Sequence, residues 1–176
     1  MPGKKKNSAV SPGNVIIREM VSSDSEKVLE IYKMGIESRM ATFETKVPLW
    51  EEFSVNHLSH SRFVIEKNNE IAGWAALSPV SKREAYRGVA EVSIYIHPDH
   101  TGEGLGSMLM EKVIENSESN GIWTLFSSLF PENKASVRLH GKSGFRIIGT
   151  REKIGQTNGI WRDTIILERR SKTTGL

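Results

Sequence analysis

The 176-residue chain has no cysteine. That one absence excludes disulfides, thiolate metal sites and a cysteine acyl-enzyme. No apolar run approaches the ~20 residues that a membrane-spanning helix needs. The N-terminus has no apolar segment of the secretory type. The expectation is a cytoplasmic protein with no membrane partner. His57, His60, His97 and His100 lack the carboxylate spacing of a metal site, so no metal is expected. A field of one sign is missing too. The formal net charge is +3, Lys4, Lys5 and Lys6 supply all of it, and residues 1–14 hold no acid, so the rest of the chain is neutral. Basic character confined to a tail does not make a nucleic-acid-binding face. Residues 1–14 read as a disordered basic tail, 171–176 as a flexible C-terminus, and 15–170 as one α/β domain without internal repeats.

What is present alternates between the two periods of regular structure. Val15 opens a first strand. Ser22, Ser23 and Asp24 offer caps to a helix whose Val28, Ile31, Tyr32 and Gly35 share a face. Pro48 suits the first turn of a second helix, with Trp50, Phe53 and Leu58 inward. Strands are predicted over 62–66 and 71–77, joined by a turn at Asn68-Asn69. A polar, basic loop over 78–88 follows. Later strands are predicted over 123–127, 147–151 and 161–167, the last two joined across Gly155–Gly159. Gly121 is placed to end the long helix before them.

The densest information lies in Glu91–Met110. Val92, Ile94 and Ile96 fall on one face of a strand, and Glu91, Ser93 and Tyr95 on the other. His97-Pro98-Asp99 stops the strand. Gly102, Gly104 and Gly106 then lead into a helix with Leu105, Met108, Leu109 and Val113 on one side. A glycine-rich turn between strand and helix can aim backbone N–H groups at a phosphate; the same glycines also serve a plain tight turn. The dinucleotide fingerprint fails because its third glycine would fall on Ser107. A P-loop fails for want of Lys-Ser or Lys-Thr.

Thr101-x-x-Gly104-x-Gly106 resembles the coenzyme A loop of the GNAT N-acetyltransferases, Arg/Gln-x-x-Gly-x-Gly/Ala, with Thr101 where a longer donor is usual. A second family motif, N-x-x-[AS]-x-x-x-[YH]-x-x-x-G-[FY], matches Asn133 through Phe145. Within the family the chain is similar to the phosphinothricin acetyltransferase branch. The resemblance implies a single-domain fold of order βααβββαβαββ, with a mixed, mostly antiparallel central sheet flanked by helices and a splayed central strand at the acetyl-CoA site. It implies acetyl-CoA as co-substrate, a small-molecule amine acceptor and a homodimer. The backbone at Ile94, Tyr95 and Ile96 would meet the pantetheine arm and thioester. Thr101, Gly102, Glu103, Gly104, Leu105, Gly106 and Ser107 would hold the pyrophosphate, and Asn133 and Ser136 would flank the arm.

Amine acetylation needs a base, a polarised thioester carbonyl and a departing thiolate. The resemblance makes Glu91 the base; the plain alternative is a strand-end glutamate paired with an arginine. His140 stands where many relatives protonate the leaving thiolate with a tyrosine, and it could equally orient substrate or cap its helix. Phe43 would wall the acceptor pocket, or anchor its loop to the core. Tyr86, Arg83 and Arg87 lie in the basic loop, where an arginine could clamp an acceptor carboxylate or stay solvated. Trp161 and Asp163 form a W-x-D motif shared with the branch; a core tryptophan is the other reading. The acceptor implied is a small amino acid or analogue of the phosphinothricin, methionine sulfone or methionine sulfoximine type. A peptide acetyltransferase and a non-enzymatic acyl-CoA sensor are the alternatives.

Overall fold

Short runs of β-branched and aliphatic residues, cut by left-handed turn residues, build the sheet. The computed structural model describes residues 13–176, so nearly all of the basic tail lies outside the described residues. The order is β1 (Val15–Glu19), α1 (Ser25–Glu37), α2 (Trp50–Asn56), β2 (Phe63–Lys67), β3 (Glu70–Pro79), β4 (Val89–Ile96), α3 (Leu105–Ser119), β5 (Thr124–Leu129), α4 (Lys134–Lys142), β6 (Arg146–Thr157) and β7 (Ile160–Arg170). The seven strands form one sheet, β1-β2-β3-β4-β5-β7-β6. Every neighbouring pair is antiparallel except β4 and β5.

Helices cover both faces, so the strands that run between them are buried on both sides. Phe63, Ile65, Leu77 and Val92 pack against Leu105, Leu109, Met110 and Val113 of α3, with Val137 and Leu139 of α4 alongside. On the other face Val64, Trp74 and Ala76 pack against Val28 and Ile31 of α1 and Phe53 of α2. Each fully buried aliphatic side chain contributes about 1.5–3 kcal/mol relative to exposure. Arg18 fastens the start of α1 to the sheet edge, donating to both carboxylate oxygens of Asp24 (2.8 and 2.9 Å) and to Glu66 (2.8 Å).

The turns follow their residues. Asn68 and Asn69 take φ of 54° and 68°, and Asn158 and Gly159 take 50° and 79°. Two left-handed residues in a row match the twist of the strands they join. Asn158-Gly159 suffices alone, so the last hairpin is longer than the sequence spacing implied, and Gly155, Gln156 and Thr157 pair with β7. Pro48 lies ahead of the first turn of α2, because the Leu49 N–H donates to the Glu52 carboxylate (3.1 Å) and the helix starts at Trp50. Leu58 lies past the end of α2, yet packs on the core. The chain end folds back: the Ser171 N–H donates to the Trp123 carbonyl, and the Thr174 hydroxyl to that of Glu118.

The sheet opens at one place. β4 pairs with β5 only over Val89–Glu91, opposite Thr124–Phe126. On its other edge β4 stays paired with β3 as far as Ile96. Beyond Glu91 the two parallel strands part, and the loop from β4 to α3 sits at the mouth of the gap.

Candidate active site

The mouth is built for an anionic ligand. Gly102 and Gly104 take φ of 81° and 87°, and a Cβ at either would meet nothing within 4 Å, so a ligand can approach the bare backbone. The Leu105 and Gly106 N–H groups precede the first bond of α3, donated by Ser107 to Gly104 (3.0 Å), and stand at the positive end of the helix dipole. A Cβ on Gly106 would lie 3.2 Å from Leu139, so glycine lets α4 close on the start of α3.

Between these helices and the open edge of β4 lies a cavity of about 660 Å³. Ile94, Tyr95 and Ile96, Thr101, Gly102, Gly104, Leu105, Gly106 and Ser107, and Asn133 and Ser136 all line it. The structure thus brings together eleven of the twelve residues expected around the co-substrate. Glu103 is turned aside, to an ion pair with Lys67 (2.7 Å) and within 3.4 Å of His100. The Lys67 hydrogen bond holds its carboxyl below the usual range. Asn133 accepts from the Ser136 N–H (3.1 Å), capping α4, and donates to the Met40 carbonyl (3.0 Å). A long pantetheine arm and its phosphates fit a cleft of this size and lining.

Glu91 stands at the fork, opposite Ser78 of β3 and Phe126 of β5. It is partly buried, and burial raises its pKa above the usual glutamate range, with Arg151 pulling the other way. Its neighbours Ala90 and Leu125 face α3, so Glu91 and Phe126 face the α1 side. On that side a second cavity, of about 710 Å³, is lined by Tyr32, Glu44, Phe53, Ser78 and Ser93 among others. Tyr32 lines this cavity, Tyr95 lines the first, and the two rings meet edge to face at 5.0 Å. Burial raises the pKa of both phenols, so both keep their protons at neutral pH.

Arg151 was not singled out in the sequence. Phe126 shares the face of Glu91; Ser128, two residues on, pairs with Ile166; and Thr164, two residues before Ile166, pairs with Arg151. Arg151 therefore lies on the face of Glu91. A bulge ahead of it sets its phase, since Ile147 pairs with Leu167 and Gly149 with Ile166, leaving Ile148 as one extra residue, and a second bulge follows it. Glu152, Lys153 and Ile154 of β6 stand against the single Asp163, whose carboxylate accepts the Lys153 N–H at 2.8 Å. Asp163 of the W-x-D motif holds that bulge.

Other expected residues lie elsewhere. His140 is 1% exposed and packs edge-on against Phe145. Its Nδ1 is 2.8 Å from the Ser136 carbonyl, which only accepts, so Nδ1 carries the proton and the buried Nε2 is left an acceptor without a partner. Burial lowers its pKa and favours the neutral ring. Phe43 packs on Phe130 (4.8 Å between centroids) and fills the space a Cβ on Gly155 would need. Arg83 sits over the Tyr86 ring, while Arg87 pairs with Glu84 (3.3 Å) and covers Trp123. Trp161 is 58% exposed on the edge hairpin, so it is not a core tryptophan. Phe43, Arg83, Tyr86, Arg87 and Trp161 line neither cavity. Among the described residues no three His, Asp or Glu side chains cluster as metal ligands do.

Comparison with known proteins agrees with this geometry. The profile of the acetyltransferase (GNAT) family matches residues 26–145. YwnH of Bacillus subtilis, whose name assigns it provisionally to the phosphinothricin acetyltransferases, is 35% identical over 151 residues, 83% of this chain and 93% of that one. An L-methionine sulfoximine/L-methionine sulfone acetyltransferase of Pseudomonas paraeruginosa is 28% identical over 158 residues, 86% and 92% of the two chains. Among solved structures, a phosphinothricin acetyltransferase from Sinorhizobium meliloti in complex with acetyl-CoA superposes with a TM-score of 0.83 at 26% identity, covering 92% of this chain and 90% of that one.

Proposed function

The chain belongs to the acetyltransferase (GNAT) family and is an acetyl-CoA-dependent N-acetyltransferase, and we propose that its acceptor is the primary amine of a small amino acid or analogue. Phosphinothricin, methionine sulfone and methionine sulfoximine are the leading acceptors, the last two named in a relative of this chain. The observation that carries this reading is the position of Glu91 at the fork: its cross-strand partner Ser78 and its same-face neighbour Ser93 line the cavity on the α1 side, and Ile94 of the same strand lines the cavity that suits acetyl-CoA.

Acetyl-CoA supplies an activated acetyl group as a thioester. Glu91 draws the acceptor ammonium to the fork and takes a proton from it, directly or through one water. Its raised pKa strengthens it as a base. The backbone of β4 beyond Glu91, free of β5, offers N–H groups where negative charge grows on the carbonyl oxygen. Arg151, on the same face, complements an acceptor carboxylate better than Arg87, which is already engaged. With no cysteine in the chain, direct transfer is the simplest route. His140 acts as a positioning residue, holding Ser136 and the last turn of α4 beside the cavity.

The second copy expected in a homodimer has a place to dock. β6 is an edge strand, and Ile147, Ile148 and Ile154 on it, with Ile160 and Trp161 beside it, are exposed.

The test is thiol release from acetyl-CoA across a panel of amino acids, sulfones, sulfoximines, phosphinothricin, polyamines and short peptides. Turnover on the amino-acid analogues is expected. Turnover on peptides alone would replace the acceptor class, and tight binding of acetyl-CoA without any transfer would favour a sensor.

A further inference from the structure

The phosphate loop of this chain is short of positive charge. Thr101 offers only a short hydroxyl, and it donates that to the Pro98 carbonyl (2.9 Å). Glu103 adds a negative charge within three residues of the helix start. The phosphates of acetyl-CoA are all anionic, and backbone N–H groups with a helix dipole carry only fractional charge. A loop of this composition leaves the anion poorly compensated.

The compensating charge lies across the cavity, on α4. Arg138 and Lys142 line the cleft together with Ala135 and Leu139, one face of the helix at offsets 0, 3, 4 and 7. The contact between Gly106 and Leu139 brings that face up to the start of α3. Among the described residues neither Arg138 nor Lys142 makes a hydrogen bond or an ion pair with another side chain. Two nearby cations outside the cavity lining are engaged: Lys67 holds Glu103, and Arg162 holds Glu132 (3.2 Å). No Asp or Glu lines the cavity, whose other titratable wall residues are Tyr95 and His100. Of the two acids in the loop, Asp99 lies outside the cavity lining and Glu103 has been drawn off by Lys67, on a different strand.

We infer that Arg138 and Lys142 of α4 bind the phosphates of acetyl-CoA in place of a basic loop side chain, and that Lys67 makes this possible by holding the Glu103 carboxylate out of the phosphate site. The inference rests on acetyl-CoA as co-substrate. It concerns binding, and leaves the chemistry at Glu91 untouched.

Calorimetric titration of the full chain with acetyl-CoA, and with its 3′-dephospho analogue, tests it. Arg138→Gln and Lys142→Gln should each raise the Kd for acetyl-CoA about tenfold, the loss of one charge-assisted contact. Both should flatten the dependence of log Kd on log salt, with kcat at saturating acetyl-CoA within about twofold. Arg138→Lys and Lys142→Arg should keep most of the affinity, which separates charge from packing. Lys67→Ala should weaken binding, and adding Glu103→Gln should restore it. Equal losses with both ligands would put the cations on the pyrophosphate; a loss confined to acetyl-CoA would put them on the 3′-phosphate. Unchanged Kd in both glutamine variants, while the unsubstituted chain binds, would overturn the inference and leave the acetyltransferase reading standing. A Lys67→Ala defect that persists with Glu103→Gln would overturn the part given to Lys67. Failure of the unsubstituted chain to bind acetyl-CoA would overturn the co-substrate itself.

Discussion

Glu91 is pulled two ways: burial favours its neutral form, and Arg151 favours the ionised one, with burial the larger. Folding therefore raises its pKa. A group of this kind adds stability below its unfolded pKa and loses that contribution as pH rises through its folded pKa. Glu91→Gln, neutral at every pH, should show an equal or higher melting temperature than the native chain at pH 8, and no advantage at pH 4; thermal scans at the two pH values check this. The same pKa sets the acid limb of activity, so kcat/KM should climb as pH rises through a value above the usual glutamate range. His140 makes the opposite prediction. Its neutral ring fills a core position, so His140→Ala should cost roughly 2–4 kcal/mol in denaturant unfolding. If His140 only positions α4, the residual activity should keep the native pH profile, and loss of the basic limb alone would instead mark it as the thiolate's proton donor. A motif gives the residue type at position 140, but not which ring nitrogen carries the proton; that depends on the Ser136 carbonyl four residues back.

At the scale of elements, the strand, loop and helix around Gly104 were legible because each residue there states its geometry: alternation along β4, left-handed glycines, then helical spacing. The turn at Asn68-Asn69 was legible for the same reason. The β6–β7 hairpin was harder to read. The single extra residue at Ile148, between the pairs Ile147–Leu167 and Gly149–Ile166, flips the alternation, so the face of Arg151 cannot be counted from the start of the strand. Trp161 looks like a core residue in sequence, yet it lies on a hairpin at the sheet edge and stays exposed. The motif that contains it acts through Asp163. Asp163→Ala should free the bulge of Glu152–Ile154 at a cost of about 1 kcal/mol. It should also raise KM for the acceptor several-fold while the Kd for acetyl-CoA is unchanged; equal effects on both ligands would show that the hairpin does not serve the acceptor side alone.

The whole molecule is one sheet with a helical layer on each face and a gap in the middle; one cavity lies along the open edge of β4, and the other over β3 and β4 on the side of α1 and α2. Its outer strand β6 is long, unpaired on one edge and apolar at Ile147, Ile148 and Ile154. A second copy would cover it. Light scattering should report twice the chain mass of 19.7 kDa, and Ile148→Asp with Ile154→Asp should return the monomer; a native monomer at high concentration would refute the dimer. The measurement closest to the centre of the account compares the native chain with Glu91→Gln, by thiol release from acetyl-CoA with methionine sulfoximine as acceptor and by acetyl-CoA titration. A fall in turnover of about 100-fold or more with unchanged acetyl-CoA affinity is expected of a lost general base. Native turnover in the variant would contradict the assignment of Glu91.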